Sequence, residues 1–221
     1  MRKKFLSNKD ESVRLFDNDY LEALTKVHPV TPLVVFVPVI TYFIFRSFTF
    51  VPKVGAGQIL GLFILGLLMW SFIEYAIHRF VFHLTFQSER LKRFHFLFHG
   101  IHHDYPQDSR RLVMPPSVSI PLSTLIYFSF SVFLAPAQLP PFFAGFIVGY
   151  LAYDMSHFAI HHIHFRGKIW QAIKVNHMKH HYLDHDHGYG VSSPLWDVLL
   201  NTRFISADAR EFEKVSESSR F

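Results

Sequence analysis

The segment QILGLFILGLLMWSFIEYAIHRFVFHL, residues 58–84, runs 27 positions with one carboxylate, Glu74, and one arginine, Arg79. A helix of that length reaches about 40 Å at 1.5 Å per residue, more than the ~30 Å hydrocarbon core of a bilayer. It reads as a membrane span that continues out of the bilayer and carries His78 and His83 near its end. Three further apolar stretches have comparable character: TPLVVFVPVITYFIFRSFTF, SVSIPLSTLIYFSFSVFLAP and FFAGFIVGYLAYDMSHFAIHH. Pro38 would kink the first, which is tolerated in membranes. The composition agrees, because half of the 221 residues are hydrophobic, 26 are Phe and only 18% are charged. The predicted fold class is an all-α integral membrane protein with four transmembrane helices, over about 31–50, 57–83, 117–136 and 142–162. There is no cysteine, which excludes disulfides, thiolate metal sites and cysteine nucleophiles.

Four spans put residues 1–30, 84–116 and 165–221 on one side. The opposite loops, 51–57 and 136–141, are tiny, and Lys53 is their one charge. By the positive-inside rule the large basic side is cytoplasmic. The formal net charge of +5 therefore reads as topology and not as nucleic-acid binding, since it flanks apolar spans and forms no continuous stripe. Residues 1–30 are predicted to be a cytoplasmic segment with room for a short amphipathic helix. Residues 31–205 form the main domain, and 206–221 a polar tail. Every histidine then falls on the cytoplasmic side or at the cytoplasmic ends of spans two and four, which predicts a helical cap there.

Sixteen histidines are present, and most are clustered. The clusters are HRFVFH (His78, His83), HGIHH (His99, His102, His103), HFAIH (His157, His161) and HMKHH (His177, His180, His181). On a helix, residues three or four apart share a face. Each H-x-x-H-H triplet can thus converge on one point, as can His157 with His161. His78 and His83 are five apart, about 140° around an ideal helix. They share a point only if the helix is distorted there, and otherwise they serve different metals. Ten imidazoles suit two ions of about five ligands each, and imidazole accepts iron, zinc, copper or nickel. A set of solvated or pH-sensitive histidines does not account for four clusters on one membrane face. His28 has no partner one turn away and is not expected to be a ligand.

Glu74 precedes His78 by one turn, and Asp154 lies just before His157, both in otherwise apolar spans. A carboxylate there is costly without a partner, and accepting the far N–H of a ligating imidazole is its expected use. A helix-end charge reaching for the interface is the alternative. His95 and His162 are further candidates for that outer layer.

EYAIHRFVFHL, FHGIHHDYPQDSRRLVMPP, YDMSHFAIHH and HMKHHYLDHDHGYGVSSPLWD resemble segments of the membrane fatty acid hydroxylase superfamily, and among its members the fatty acid 2-hydroxylases. The stretch with Arg111, Leu112, Val113 and the Pro115–Pro116 pair narrows the match, because the histidines are shared by the sterol desaturases and carotenoid hydroxylases too. The resemblance covers roughly residues 20–205. It implies a four-span fold with a cytoplasmic cap holding two metals, and O2-dependent hydroxylation of a fatty acyl chain at the carbon next to the carbonyl. The acyl carrier stays open: free acid, thioester or ceramide. Many eukaryotic relatives carry an N-terminal b-type cytochrome domain. This sequence has no room for one, so electrons are expected from a separate donor such as a b-type cytochrome or a ferredoxin.

Breaking an aliphatic C–H bond needs a redox metal, which points to iron in the working enzyme; zinc has no redox chemistry but can fill nitrogen sites in a purified sample. The acyl tail is expected in an apolar groove with its head end at the metals. Tyr105, Asp108, Arg110, Arg111, Tyr182, Asp184 and Tyr189 are candidates for holding that head, with loop packing or headgroup contact as their alternative. The location follows as the inner membrane in a bacterium or the endoplasmic reticulum in a eukaryote. Two rival readings are a sterol or carotenoid hydroxylase or desaturase, and a metal transporter or storage protein. Transporter sites lie near the midplane on broken helices, whereas these histidines lie at span ends and in polar segments.

Overall fold

The computed structural model describes residues 5–49, 54–84 and 86–204, and among these every regular element is helical. The elements are α1 (Asp19–Leu24), α2 (Thr31–Thr49), α3 (Ala56–Ile77), α4 (Glu89–His95), α5 (Ile101–Asp104), α6 (Pro116–Ser131), α7 (Leu139–His162), α8 (Lys168–Tyr182) and α9 (Leu195–Leu199). Two π-helical turns interrupt this order, His78–Phe82 directly after α3 and Phe96–Gly100 between α4 and α5. The tail expected at 206–221 and Lys53 of the short loop lie outside the described residues.

Among the described residues three helices are long and apolar enough to cross a bilayer: Thr31–Thr49, Ala56–Phe82 and Leu139–His162. The third expected span is shorter than its apolar stretch. α6 has 16 residues, about 24 Å at 1.5 Å per residue. Val132 takes over its last amide bonds, and residues 132–135 turn toward α7 instead of adding another helical turn. The N-terminal segment, which had room for a short helix, holds α1 among its described residues, six residues long and capped by the Asn18 side chain on the amides of Tyr20 and Leu21.

The chain divides into two compact units. One comprises residues 16–73 and 113–155. Its core is aromatic: Phe36, Trp70, Phe143, Phe146 and Tyr150 pack with Ile147 and Leu151. Trp70 meets Phe146 and Tyr150 edge to face, at 5.3 and 5.2 Å between ring centroids. The α3–α7 contact is close at Gly145, where a Cβ would stand 1.9 Å from the Phe63 carbonyl oxygen. Small residues at such crossings let helix backbones approach where lipid supplies no hydrophobic drive.

The other unit comprises residues 1–15, 74–112 and 156–221. Here the buried groups are mostly polar, and they include nine of the ten clustered histidines, His83 being half-buried. Residues 5–15 bond to other segments of this unit. The amides of Leu6 and Ser7 donate to the Asp104 carbonyl, and the Ser109 amide donates to Asp10 at 3.0 Å. Tyr182 donates its hydroxyl to Asn8 at 2.9 Å.

Candidate metal centre

α3 is apolar all round and carries its register past Ile77 into the π turn His78–Phe82. In a π turn the backbone bonds run from i to i+5, so a residue five positions on returns to the same face. That is the distortion the five-residue spacing demanded. His78 and His83 come together with Nε2 atoms 3.2 Å apart. His95 faces the carbonyl of Phe82 in the same turn, and the Phe82 ring stacks on His99 at 4.7 Å.

The ten histidines form two groups of five. His78, His83, His99, His103 and His180 make one; His102, His157, His161, His177 and His181 make the other. Within each, the ligand nitrogens all lie within 4.8 Å of one another. In the first group Nε2 pairs stand at 3.2 Å for His78 and His99, 2.8 Å for His99 and His103, and 3.0 Å for His83 and His180. In the second, His157 is 3.0 Å from His102 and 3.1 Å from His177, and His177 is 3.0 Å from both His161 and His181.

This grouping corrects the expectation that each H-x-x-H-H triplet converges on one point. Each triplet is split. His99 and His103 stay together while His102 joins the second group; His177 and His181 stay together while His180 joins the first. The cause is angular. Positions four apart differ by about 40° around a helix, whereas adjacent positions differ by about 100°. The i, i+4 pair shares a direction, and the histidine just before its second member points elsewhere.

Burial holds these imidazoles neutral, and neighbouring imidazoles add to the effect. His83 is pushed down to about 2 and His102 to about 3, while His99, His103, His177, His180 and His181 lie well below the usual histidine range. Neutral imidazole is the metal-binding form. Two tautomers are fixed by geometry. His78 donates Nδ1–H to the Tyr189 carbonyl at 2.5 Å, and His180 donates Nδ1–H to the His187 carbonyl at 2.7 Å. A carbonyl only accepts, so both rings present an Nε2 lone pair to the middle of their group. Lone pairs gathered this closely repel unless a cation sits among them. Edges near 3.0 Å also match nitrogens about 2.1 Å from a common ion at right angles, since 2.1 × √2 is about 3.0. The residues present fit a pair of nitrogen-bound divalent ions.

The expected outer layer is built differently. Glu74 does not take an imidazole. One of its oxygens accepts the amides of Val191 and Ser192, both at 2.9 Å, and the other accepts the Ser192 hydroxyl. Asp154 accepts the Met114 amide at 3.2 Å and the Tyr150 hydroxyl at 3.2 Å. In each case main-chain N–H and hydroxyl groups occupy the carboxylate. His162 faces the carbonyls of Phe158 and Gln107 and stacks on Phe158.

Most candidates for holding a lipid head are spent on packing. Asp108 and Arg111 pair at 3.2 Å with both side chains buried. Asp108 also accepts from Ser12 and from the Arg110 amide. Tyr182 serves Asn8, Asp184 pairs with His187 at 2.8 Å, and the Arg110 side chain is in solvent. Tyr105 is half-buried. Tyr189 is the exception, its ring 5.4 Å from that of His83 and 5.8 Å from that of His78. His28 belongs to neither group, and its Nδ1 accepts from the Val30 amide at 3.2 Å. His185, four positions after His181, has its ring 4.5 Å from that of His103. Beside it an open cavity of about 320 Å³ is walled by His83, His99 and His103 and by Phe82, Leu84 and Phe96.

With this geometry in view the similarities are specific. A profile of the family described as fatty acid hydroxylase matches residues 63–202. The chain is 33% identical over 192 residues to a dihydroceramide fatty acyl 2-hydroxylase of Arabidopsis thaliana, covering 87% of this chain and 80% of that one. It is 34% identical over 212 residues to the fatty acid 2-hydroxylase of Homo sapiens, covering 86% of this chain and 56% of the human protein. Among solved structures it is similar to full-length Scs7p, in which the hydroxylase domain alone is visible, with a TM-score of 0.80, 34% identity, and coverage of 86% of this chain and 72% of that one.

Proposed function

Because the chain belongs to the fatty acid hydroxylase family, we propose that it hydroxylates a fatty acyl chain at C-2, using two iron ions held by the ten grouped histidines. It is an oxidoreductase of the monooxygenase type. The observation that carries the metal reading is the convergence of five Nε2 atoms in each of two groups, all on buried histidines except that of half-buried His83. Bound iron supplies the redox chemistry with O2 that an aliphatic C–H bond requires, which zinc lacks. The balance is one O2, two electrons and two protons per acyl chain; one oxygen atom enters the C-2–H bond and the other leaves as water.

The chain's own residues hold, orient and shield. His78, His83, His99, His103 and His180 hold one ion, and His102, His157, His161, His177 and His181 the other. The cavity beside the first group has an apolar wall, Phe82, Leu84 and Phe96, against a wall of imidazoles. An acyl chain lies along the first wall with its carbonyl end toward the second, so that C-2, the first carbon bearing C–H bonds, is the C–H carbon nearest the metals. The split triplets tie the groups together, since α5 and α8 each serve both. The histidine face is cytoplasmic, by the basic segments that flank it, and α6 completes a four-helix membrane domain over residues 31–205. With no cysteine the chain has no iron–sulfur cluster of its own. Its electrons come from a carrier protein, a b-type cytochrome or a ferredoxin.

The test is lipid mass spectrometry on cells expressing the chain and on cells expressing His177→Ala or His180→Ala at matched membrane abundance. The intact chain yields 2-hydroxyacyl lipid and both variants lose it. Hydroxylation at another carbon, or full product from either variant, overturns the reading.

A further inference from the structure

The short helix α4 and the π turn after it carry an apolar stripe that points outward. Leu91 and Phe94 are three positions apart and Phe94 and Phe98 four, spacings that place side chains on one helix face. The Phe94 and Phe98 rings lie 4.4 Å apart, so the face continues into the π turn. All three are exposed, at 48%, 52% and 40%. Lys92 and Arg93 stand about 130° around the helix from the middle of that stripe, with Arg90 at its flank. These three cations are exposed, and Glu89, bonded to Lys92 at 2.7 Å, is the one acidic residue of the helix. An apolar stripe backed by cations is the pattern of a helix that lies in a membrane surface.

The position of α4 fits that pattern. The span Ala56–Phe82 ends at the π turn His78–Phe82. His95, the last residue of α4, faces the Phe82 carbonyl, and the Phe82 ring stacks on His99 in the turn that follows. The end of α4 is therefore tied to the end of a span. Phe80, Val81 and Leu84 are exposed beside it, so apolar surface facing outward runs to the point where the span stops. Leu84 also walls the open cavity of about 320 Å³, together with His95 and Phe96 at the end of α4.

We propose that α4 is an interfacial anchor and one side of a lateral entrance: Leu91, Phe94 and Phe98 enter the phospholipid surface, Arg90, Lys92 and Arg93 meet headgroup phosphates, and acyl chains pass from the bilayer past Leu84 into the cavity beside the first histidine group. An interfacial helix buries its apolar face about 5–10 Å into the boundary between headgroups and acyl chains. That boundary is where a membrane lipid carries its acyl carbonyl and C-2. The anchor thus holds the cavity mouth at the depth of the carbon to be hydroxylated. This rests on the activity given under the proposed function, and goes beyond it by naming the source of the substrate and the helix that sets its depth.

The first test needs no turnover. The chain has no cysteine, so single-cysteine variants of the full chain take a nitroxide at one place. In phosphatidylcholine vesicles, labels on Leu91→Cys and Phe94→Cys should collide with O2 and be shielded from a water-soluble nickel chelate, while the label on Arg93→Cys should show the reverse. Labels on Leu91→Cys and Phe94→Cys as open to the chelate as that on Arg93→Cys overturn the proposal, and give this face to a soluble partner. The second test is kinetic. Leu91→Ser combined with Phe94→Ser should raise KM about 10-fold for an acyl lipid supplied in vesicles, the order expected from unburying large apolar side chains, with kcat kept. For a short-chain acyl substrate that enters from water, KM should stay as in the intact chain. An equal rise for both substrates, or none for either, overturns the entrance. Inserted labels on a chain that gives no 2-hydroxyacyl product with either substrate sink the activity reading and leave the anchor in place.

Discussion

At the residue scale the two groups make separable demands. His177 belongs to one group and His180 to the other, although they sit on the same turn of α8. Replacing either with Ala opens one coordination position. We expect each variant to bind about one metal equivalent fewer by elemental analysis, with the other ion retained. His28→Ala should change neither number. Loss of both ions from both variants would mean that the groups act as one site. Arg111 tests a different assignment. It was a candidate for the lipid head, but it pairs with buried Asp108. Removing one partner of a buried pair leaves an unpaired charge, at a cost of about 3–5 kcal/mol. Asp108 keeps its bonds from Ser12 and the Arg110 amide, so Arg111→Ala should fall near the lower end. Thermal unfolding in detergent measures this. A lowered substrate affinity with unchanged stability would return Arg111 to the binding role.

At the element scale the helices were largely legible and their irregularities were not. Long apolar runs set α2, α3 and α7, because length and hydrophobicity are the physical requirement for a span. The π turn at His78–Phe82 left one trace, a pair of histidines five apart; no residue type marks it. The division of each triplet was legible in principle, since helix geometry separates adjacent positions by about 100°, but nothing in a triplet says that a second pocket waits for its middle member. The loop carbonyls of His187 and Tyr189 were not legible at all, because a main-chain acceptor carries no side-chain signature. The shortening of α6 belongs here too, since apolar character continues to Leu134 while the helix stops at Ser131. The α3–α7 crossing supplies the prediction at this scale. Gly145→Leu places a Cβ against the Phe63 carbonyl, where main chain and not a flexible side chain must move. Overpacking of this kind costs at least about 1–3 kcal/mol. The variant should melt lower than the intact chain in the same detergent, with its metal content per folded molecule unchanged. An unaltered melting temperature would show that the helices do not cross this closely.

At the scale of the whole molecule, folding and chemistry draw on different parts of the sequence. The unit of residues 16–73 and 113–155 is held by aromatic packing, and the unit that carries the histidines is held by polar contacts around two convergent sets of nitrogens. A membrane protein built this way should insert and pack whatever ion it takes. The affinity order for nitrogen sites places zinc above ferrous iron, so overproduced protein is expected to carry zinc. Both ions satisfy the structural need, because each accepts imidazole and relieves the repulsion among lone pairs. Of the two ions, iron is the one with redox chemistry. Protein stripped by a chelator and reloaded with zinc should therefore regain two equivalents and the full melting temperature, yet give no 2-hydroxyacyl product with O2 and a reductant. The same stripped protein reloaded with ferrous iron under anaerobic conditions should regain the same melting temperature, and form product once O2, reductant and an acyl lipid are supplied. Product from the zinc form, verified iron-free by elemental analysis, would remove the redox argument and with it the assignment of iron.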